Sequence, residues 1–393
     1  MTISTWRKAA ALLLAVALMG SLGLTGCSSA DEEADDSDDA AANLTTVQIA
    51  FSAPLTGDYA VYGQGMKRAV QLAMDEANAS DEVIAAGYEF VIRAEDDQGD
   101  PKQAVNVANL LVSDPGVVGV VGHFNSGCSI PASPVYQEAG MAMVSVSSNP
   151  AMTAQGFDVV NRIAAKDDAQ GTFAADMLTE LYGFDSVVVI DDSTQYGQGL
   201  ADEFTKEFEA LGGEILARES IQAKEVDFQA LVTKIKSMDP DAVYYAGGQT
   251  EGGLISKQAK ESGLAVPVIG GDLIFSQEYI DVAGATNAEG DVATMLGLPL
   301  DQQPGGLEFE AAYEAAFDAS PEAYDSYAYD SAWIFVKAVL EAGTDRADVA
   351  AAVRGITYEG ITGVTQFDEN GDTSNQAISA YQVVDGAWAQ IVD

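Results

Sequence analysis

The 393-residue chain carries 61 Asp and Glu against 18 Lys and Arg, a formal charge of −43 at pH 7. Phosphate recognition is built from lysine and arginine, so this excess of carboxylate argues against nucleic acid as a partner and against an anionic membrane surface. Hydrophobic residues make up 48% of the chain, enough to bury a core, while two cysteines and one histidine exclude a disulfide scaffold and a His/Cys zinc site.

In chain order, Arg7-Lys8, an apolar run over residues 9–19 and Leu24-Thr25-Gly26-Cys27 describe an export signal, the run being short for a membrane span. Leu-Thr-Gly-Cys resembles the lipobox of bacterial lipoproteins. That resemblance implies a lipoprotein signal peptide over residues 1–26, a lipid-bearing Cys27 and attachment to the membrane through the lipid alone. Residues 27–43 hold seven acids among Ser and Ala and nothing that forms a core, so they are expected to be a disordered acidic tether. With Cys27 acylated, Cys128 is left as the free thiol.

From Val47 onward short apolar runs alternate with helical patterns, as expected of parallel sheets covered by helices. Strands are predicted over 47–53, 89–94, 117–121, 142–145, 186–190, 242–246 and 266–269. Helices are predicted over 66–78, 102–112, 169–181, 200–211, 228–237 and 252–262. Helices over 307–319 and 325–342 then precede strands at 363–367 and 378–384. The strands carry Val and Ile at successive positions, which suits burial on both faces. Several end in Gly122, Ser147-Ser148, Asp191-Asp192, Gly247-Gly248 or Gly270-Gly271-Asp272. In open α/β sheets ligands bind beyond the carboxyl ends of strands, so a site is sought at these polar termini.

Catalytic signatures are missing. The chain has no G-x-S-x-G elbow, no G-x-G-x-x-G fingerprint and no lysine directly after a glycine, and any histidine-based triad would rest on His123 alone. His123 follows a strand and is read as a structural hydrogen-bonding residue. Asp96-Asp97 and Asp191-Asp192 are adjacent pairs, which on a strand point to opposite faces and make poor dyads. They are read as caps and surface charge. No enzyme, metal or cofactor is expected.

An ordered series of motifs carries a family resemblance. Ala53-Pro54-Leu55-Thr56-Gly57 precedes Tyr62-Gly63, and Asp96-Asp97 precedes Asp100-Pro101-Lys102-Gln103-Ala104. Val121-Gly122-His123, Pro131-Ala132, Asn149-Pro150 with Thr153, and Gln195-Tyr196-Gly197 follow. Asp227-Phe228, Asp241 with Val243-Tyr244-Tyr245, and Phe367-Asp368 with Gly371-Asp372 complete the series. Together they resemble the leucine/isoleucine/valine-binding protein family, the type I periplasmic solute-binding proteins of ABC importers.

The resemblance implies an α/β type I periplasmic-binding-protein fold, two doubly wound parallel-sheet lobes joined by three crossovers near residues 165, 296 and 376. Residues 44–164 plus 297–376 form the first lobe and 165–296 plus 377–393 the second. Ser126 matches the family's carboxylate-binding serine, and Ser148 a threonine that contacts both ends of the ligand. Val146 and Ser147 match the neighbouring positions, where a backbone carbonyl accepts from the ammonium. Asp272 falls where a glutamate pairs with that ammonium, and a desolvated ammonium requires such a partner. Tyr62, Phe124, Tyr196 and Tyr324 match positions lining the side-chain pocket, and Asn125 lies beside them.

There are departures from the family pattern. Gly248 stands where close relatives have a pocket tyrosine, and the missing ring is expected to enlarge the pocket or change its polarity. Asn125 and Gly99 stand near positions that are paired cysteines in some relatives. The function implied is an exported lipoprotein receptor, anchored at the outer face of the cytoplasmic membrane or in the periplasm. It takes a small, aliphatic or branched-chain amino acid to an ABC permease as a monomer. The alternatives are urea, a short amide or an aromatic carboxylate as solute, or a sensory module on the same fold.

Overall fold

The computed structural model describes residues 44–392. The predicted signal peptide, Cys27 and the acidic tether lie outside those residues. No helix among them is long and apolar enough to cross a membrane.

Two sheets organise the body. The first contains β1 (Thr45–Ala53), β2 (Tyr88–Asp96), β3 (Val117–Gly122), β4 (Ala142–Ser145) and β5 (Val160–Arg162), in the spatial order β2-β1-β3-β4-β5 and wholly parallel. The second contains β6 (Ser186–Asp191), β7 (Glu214–Ser220), β8 (Ala242–Ala246), β9 (Val268–Gly270), β10 (Val292–Leu296), β13 (Ile378–Val384) and β14 (Ala387–Val392). A short antiparallel hairpin, β11 (Thr357–Gly360) with β12 (Gly363–Gln366), stands apart from both.

The second sheet runs β14-β13-β10-β9-β8-β6-β7, parallel from β10 to β7. The parallel expectation fails at its other edge, where β13 pairs antiparallel with β10 and β14 antiparallel with β13. The two-residue turn Asp385-Gly386, both at positive φ, lets β14 return as a hairpin without a crossover helix.

Every residue of β3, β4, β8 and β10 is buried, because helices cover both faces of each sheet. The helices are placed by ordinary local chemistry. Asp100 accepts hydrogen bonds from the N–H groups of Lys102 and Gln103 at 2.9 and 2.8 Å, and Pro101 opens the helix Pro101–Val112. Arg162, at the end of β5, is fully buried and ties segments far apart in sequence. Its guanidinium pairs with Asp372 at 2.9 Å and donates to the Ser147 and Asn149 carbonyls and the Thr153 hydroxyl. A buried arginine is tolerated because its donors find acceptors.

Candidate functional site

Strand ends from both sheets converge on one place. Beyond β3 the chain passes through His123, Phe124 and Asn125 into the helix Ser126–Ala139, and beyond β4 it continues as Val146, Ser147 and Ser148. On the second sheet, β6 leads to the helix Gln195–Ala210, which carries Tyr196, and β9 leads to Asp272. Tyr324 arrives from the start of the helix Asp325–Ala342. Of the ten residues expected from the sequence, all but Tyr62 line one small cavity, and Leu273 completes its wall. The open space is about 20 Å³, on the scale of a single water.

Tyr62 stands one layer behind the wall. Its ring stacks on Phe124 at 5.4 Å and meets Tyr324 edge-on at 5.5 Å, while its hydroxyl donates to the Leu273 carbonyl at 3.3 Å. Phe124 and Tyr324 are themselves edge-to-face at 5.0 Å. Three aromatic rings therefore support one side of the cavity in mutually favourable orientations.

Asp272 supplies the charge. It is 3% exposed, and its carboxylate accepts from the Tyr196 hydroxyl at 2.8 Å and from the Tyr324 hydroxyl. Burial raises its pKa, and the two phenol donors offset part of that rise. Among the described residues no lysine or arginine forms an ion pair with it. Gly271 makes the Tyr196 contact feasible, because a Cβ there would collide with the Tyr196 hydroxyl and with Leu200.

The opposite side of the cavity is built from hydroxyls. Ser126 opens its helix, where unpaired backbone N–H groups converge, and its Oγ accepts from the Asn149 N–H at 3.4 Å. Ser147 is committed to the scaffold: its hydroxyl donates to the Phe124 carbonyl at 2.9 Å, and its carbonyl accepts from Arg162. Asn125 borders the cavity with a buried Oδ1 that has no hydrogen-bond partner. That oxygen lies 3.3 Å from where a Cβ on Gly99 would be, so these two positions do adjoin.

One acidic residue beside the site was not anticipated. Asp167 is fully buried, its N–H donates to the Ser148 carbonyl at 3.0 Å, and neither carboxylate oxygen has a partner in hydrogen-bonding geometry. Burial pushes its pKa up to about 8; the nearby Ser148 hydroxyl lowers it and the Asp272 charge raises it further. In the sequence Lys166-Asp167-Asp168 reads as the ordinary acidic first turn of a helix, and only packing distinguishes Asp167 from its half-buried neighbour Asp168.

Three sequence-based readings can now be compared with the geometry. His123 is fully buried; its Nδ1 lies 2.6 Å from Asp97 and 3.0 Å from Ser52, and its Nε2 lies 2.9 Å from Tyr136. A serine, a histidine and an aspartate meet there, but the cluster is sealed from solvent and performs the structural role expected. The acidic pairs require correction. Asp96 caps a loop by accepting from the Leu55 N–H and the Thr56 hydroxyl, but Asp97, Asp191 and Asp192 are buried and are not surface charge. Asp191 pairs with Arg218, and Asp192 accepts from the Thr194 and Gly248 N–H groups. The enlargement expected at Gly248 is also absent, because the Tyr59 hydroxyl fills the space that a side chain there would take.

A larger groove of about 740 Å³, lined by Lys166, Asp176, Lys206, Asp368, Asp372 and Gln376 among others, lies elsewhere. It is open to solvent and contains none of the ten expected residues.

Residues 46–387 match the periplasmic binding protein family. The chain is 36% identical over 335 residues to Leu/Ile/Val-binding protein homolog 2 of Brucella abortus, covering 84% of this chain and 89% of that one. It is 34% identical over 339 residues to the leucine-, isoleucine-, valine-, threonine-, and alanine-binding protein of Pseudomonas aeruginosa, covering 86% and 90%. Its fold superposes with a TM-score of 0.81 on the branched-chain amino acid transporter substrate-binding protein LivJ of Streptococcus pneumoniae, solved in complex with isoleucine. The two are 28% identical, with 89% of this chain and 99% of that one covered. With its parallel α/β sheets and this match over most of its length, the chain belongs to the periplasmic binding protein family and has the type I fold.

Proposed function

We propose that the protein is an extracytoplasmic receptor, held to the membrane by a lipid on Cys27, that captures a small aliphatic α-amino acid and hands it to an ABC permease. The observation that carries the reading is Asp272: a buried carboxylate held by two phenols, with no basic partner among the described residues, on the wall of a cavity whose far side is built from hydroxyls and a helix N-terminus. Such a carboxylate is complementary to an ammonium group, whose pairing offsets the cost of burying both charges. Ser126 and the N–H groups of its helix suit the α-carboxylate, and Ser148, which lines the same cavity, is assigned a contact with both ends of the ligand. Phe124, backed by Tyr62 and Tyr324, offers an apolar wall to an aliphatic side chain. The named specificity of the Pseudomonas relative and the isoleucine in the Streptococcus structure favour a branched-chain ligand.

The site is assembled from residues 44–164 plus 297–376 on one side and 165–296 plus 377–393 on the other, read as two lobes. Bonds between these segments support closure as the capture step. Besides the Tyr324 bond to Asp272, the Asn149 amide donates to the Gln195 carbonyl at 2.6 Å and the Gln249 amide to the Asp58 carbonyl at 3.1 Å. A cavity of about 20 Å³ admits an amino acid only when the lobes part, so binding shifts the protein between open and closed populations. No covalent bond is made or broken.

Calorimetric titration with the L-amino acids, urea, acetamide and benzoate tests the reading. Leucine, isoleucine or valine should give saturable heat and raise Tm. Absence of both effects with every amino acid would overturn it.

A further inference from the structure

Gly248 has no backbone reason to be glycine. Its φ of −74° and ψ of 158° are extended values open to any residue, and it precedes the helix Gln249–Glu261 as an ordinary first cap. What a side chain would meet is the Tyr59 phenol: a Cβ at 248 would lie 2.6 Å from its hydroxyl, so the phenol would have to move. Tyr59 reaches this point from the other side of the cleft, from the turn before the helix Ala60–Ala79. Its ring stands 6.3 Å from Phe124, the aromatic wall of the cavity, and its edge packs 3.7 Å from the Cβ position of Gly99. The approach is held beside Tyr59 by Asp58, whose carbonyl accepts from the Gln249 amide at 3.1 Å and whose carboxylate faces Lys224 at 3.8 Å.

We propose that Tyr59 is a specificity-determining residue of the solute site: it seats against the bare Gly248 as the cleft closes and blocks the cavity behind Phe124, limiting how long a solute side chain can be. This rests on the amino-acid reading above. Neither Tyr59 nor Gly248 lines the cavity itself; the phenol seated on the glycine backs Phe124, which does. Burial, together with the negative charges of Asp192 and Glu251, raises the Tyr59 pKa, so the phenol remains a neutral group at the contact. Pockets of this kind discriminate by about 10–200-fold per methylene, which sets the size of effect to seek.

The test uses the purified protein and the variants Tyr59→Ala, Tyr59→Phe, Gly248→Ala and the double variant Tyr59→Ala/Gly248→Tyr, titrated with valine, leucine, methionine and phenylalanine. In Tyr59→Ala the ratio of phenylalanine to valine affinity should rise at least tenfold. The double variant should bring the ratio back toward the original, since the wall is rebuilt from the other side. Gly248→Ala alone should weaken all four ligands, because the methyl and the phenol compete for one space; it keeps the test decisive should Tyr59→Ala not fold. A ratio that moves less than threefold in Tyr59→Ala, or unchanged affinities in Gly248→Ala, overturns the inference while leaving the amino-acid reading intact. If the unmodified protein binds none of the four, the amino-acid reading itself fails and this inference falls with it.

Discussion

Replacing Asp272 with Asn should affect binding and folding in opposite ways. The substitution preserves shape and removes one charge. In the ligand-free protein that charge is a burden: Asp272 is 3% exposed, and burial raises its pKa although Tyr196 and Tyr324 donate to it. An asparagine can accept from one phenol and donate to the oxygen of the other, so it avoids the buried charge at the cost of rearranging these bonds. Thermal stability should therefore be unchanged or higher. An ammonium ligand, however, would lose its only carboxylate partner on the cavity wall, since the remaining lining is neutral. Breaking a buried pair from one side costs about 3–5 kcal/mol, a weakening of roughly 10²- to 10³-fold or more at ~1.4 kcal/mol per decade. Calorimetry with leucine measures the loss, and 4-methylpentanoate, the same molecule without its amino group, serves as the control. The control should bind Asp272→Asn at least as well as it binds the original protein. A leucine affinity reduced less than tenfold, or a parallel loss for the control, would refute the assignment of Asp272 to the ammonium.

Other outcomes follow from the same geometry. Burial raises Asp167 and Asp325 to about 8 and Asp192 and Asp330 to about 6, from an ordinary 3.8. The folded state then keeps protons that the unfolded chain releases above pH 3.8, so stability should fall as pH rises through 4–8, by up to ~1.4 kcal/mol per unit for each such group. Denaturant midpoints at pH 5 and pH 8, both in 1 M salt to screen the net charge, measure this, and a midpoint at pH 8 equal to or above that at pH 5 contradicts it. Gly271→Ala should displace the Tyr196 hydroxyl from Asp272 and weaken amino-acid binding about tenfold with a smaller effect on Tm; unchanged affinity would show that this phenol does not organise the carboxylate. The charge of −43 predicts a Tm that rises between dilute buffer and molar salt, where the screening length falls to about 3 Å. A flat or falling Tm would mean that self-repulsion does not limit stability.

The buried strands were the most legible elements. The runs at Ala142–Ser145, Ala242–Ala246 and Ile378–Val384 were placed with their observed bounds, as was the helix Asp325–Ala342, because burial on two faces or a long amphipathic period leaves a local signature. The missed elements lack one. Glu214–Ser220 is an edge strand with no fully buried residue, Val160–Arg162 has three residues, and Ser126–Ala139 contains Pro131 and Pro134. Val292–Leu296 is fully buried yet is not among the strands predicted. Its neighbours β9 and β13, one parallel and one antiparallel, are chosen by assembly of the sheet.

For the site, composition and strand ends pointed only to a region; the individual residues came from the ordered motifs. The sequence alone determined an acidic α/β body with polar strand ends, a family resemblance and the lack of catalytic signatures, all of which are properties of residue type and order. Only the tertiary structure decided which acids lose water. Asp167 and Asp168 are adjacent and chemically identical, yet one is sealed beneath Ser148 and the other is only half-buried. It also decided that Gly248 leaves no gap, because the phenol that fills it is 189 positions away, at Tyr59. Desolvation and volume depend on what packs from elsewhere in the chain, and neither is written in a local stretch of sequence.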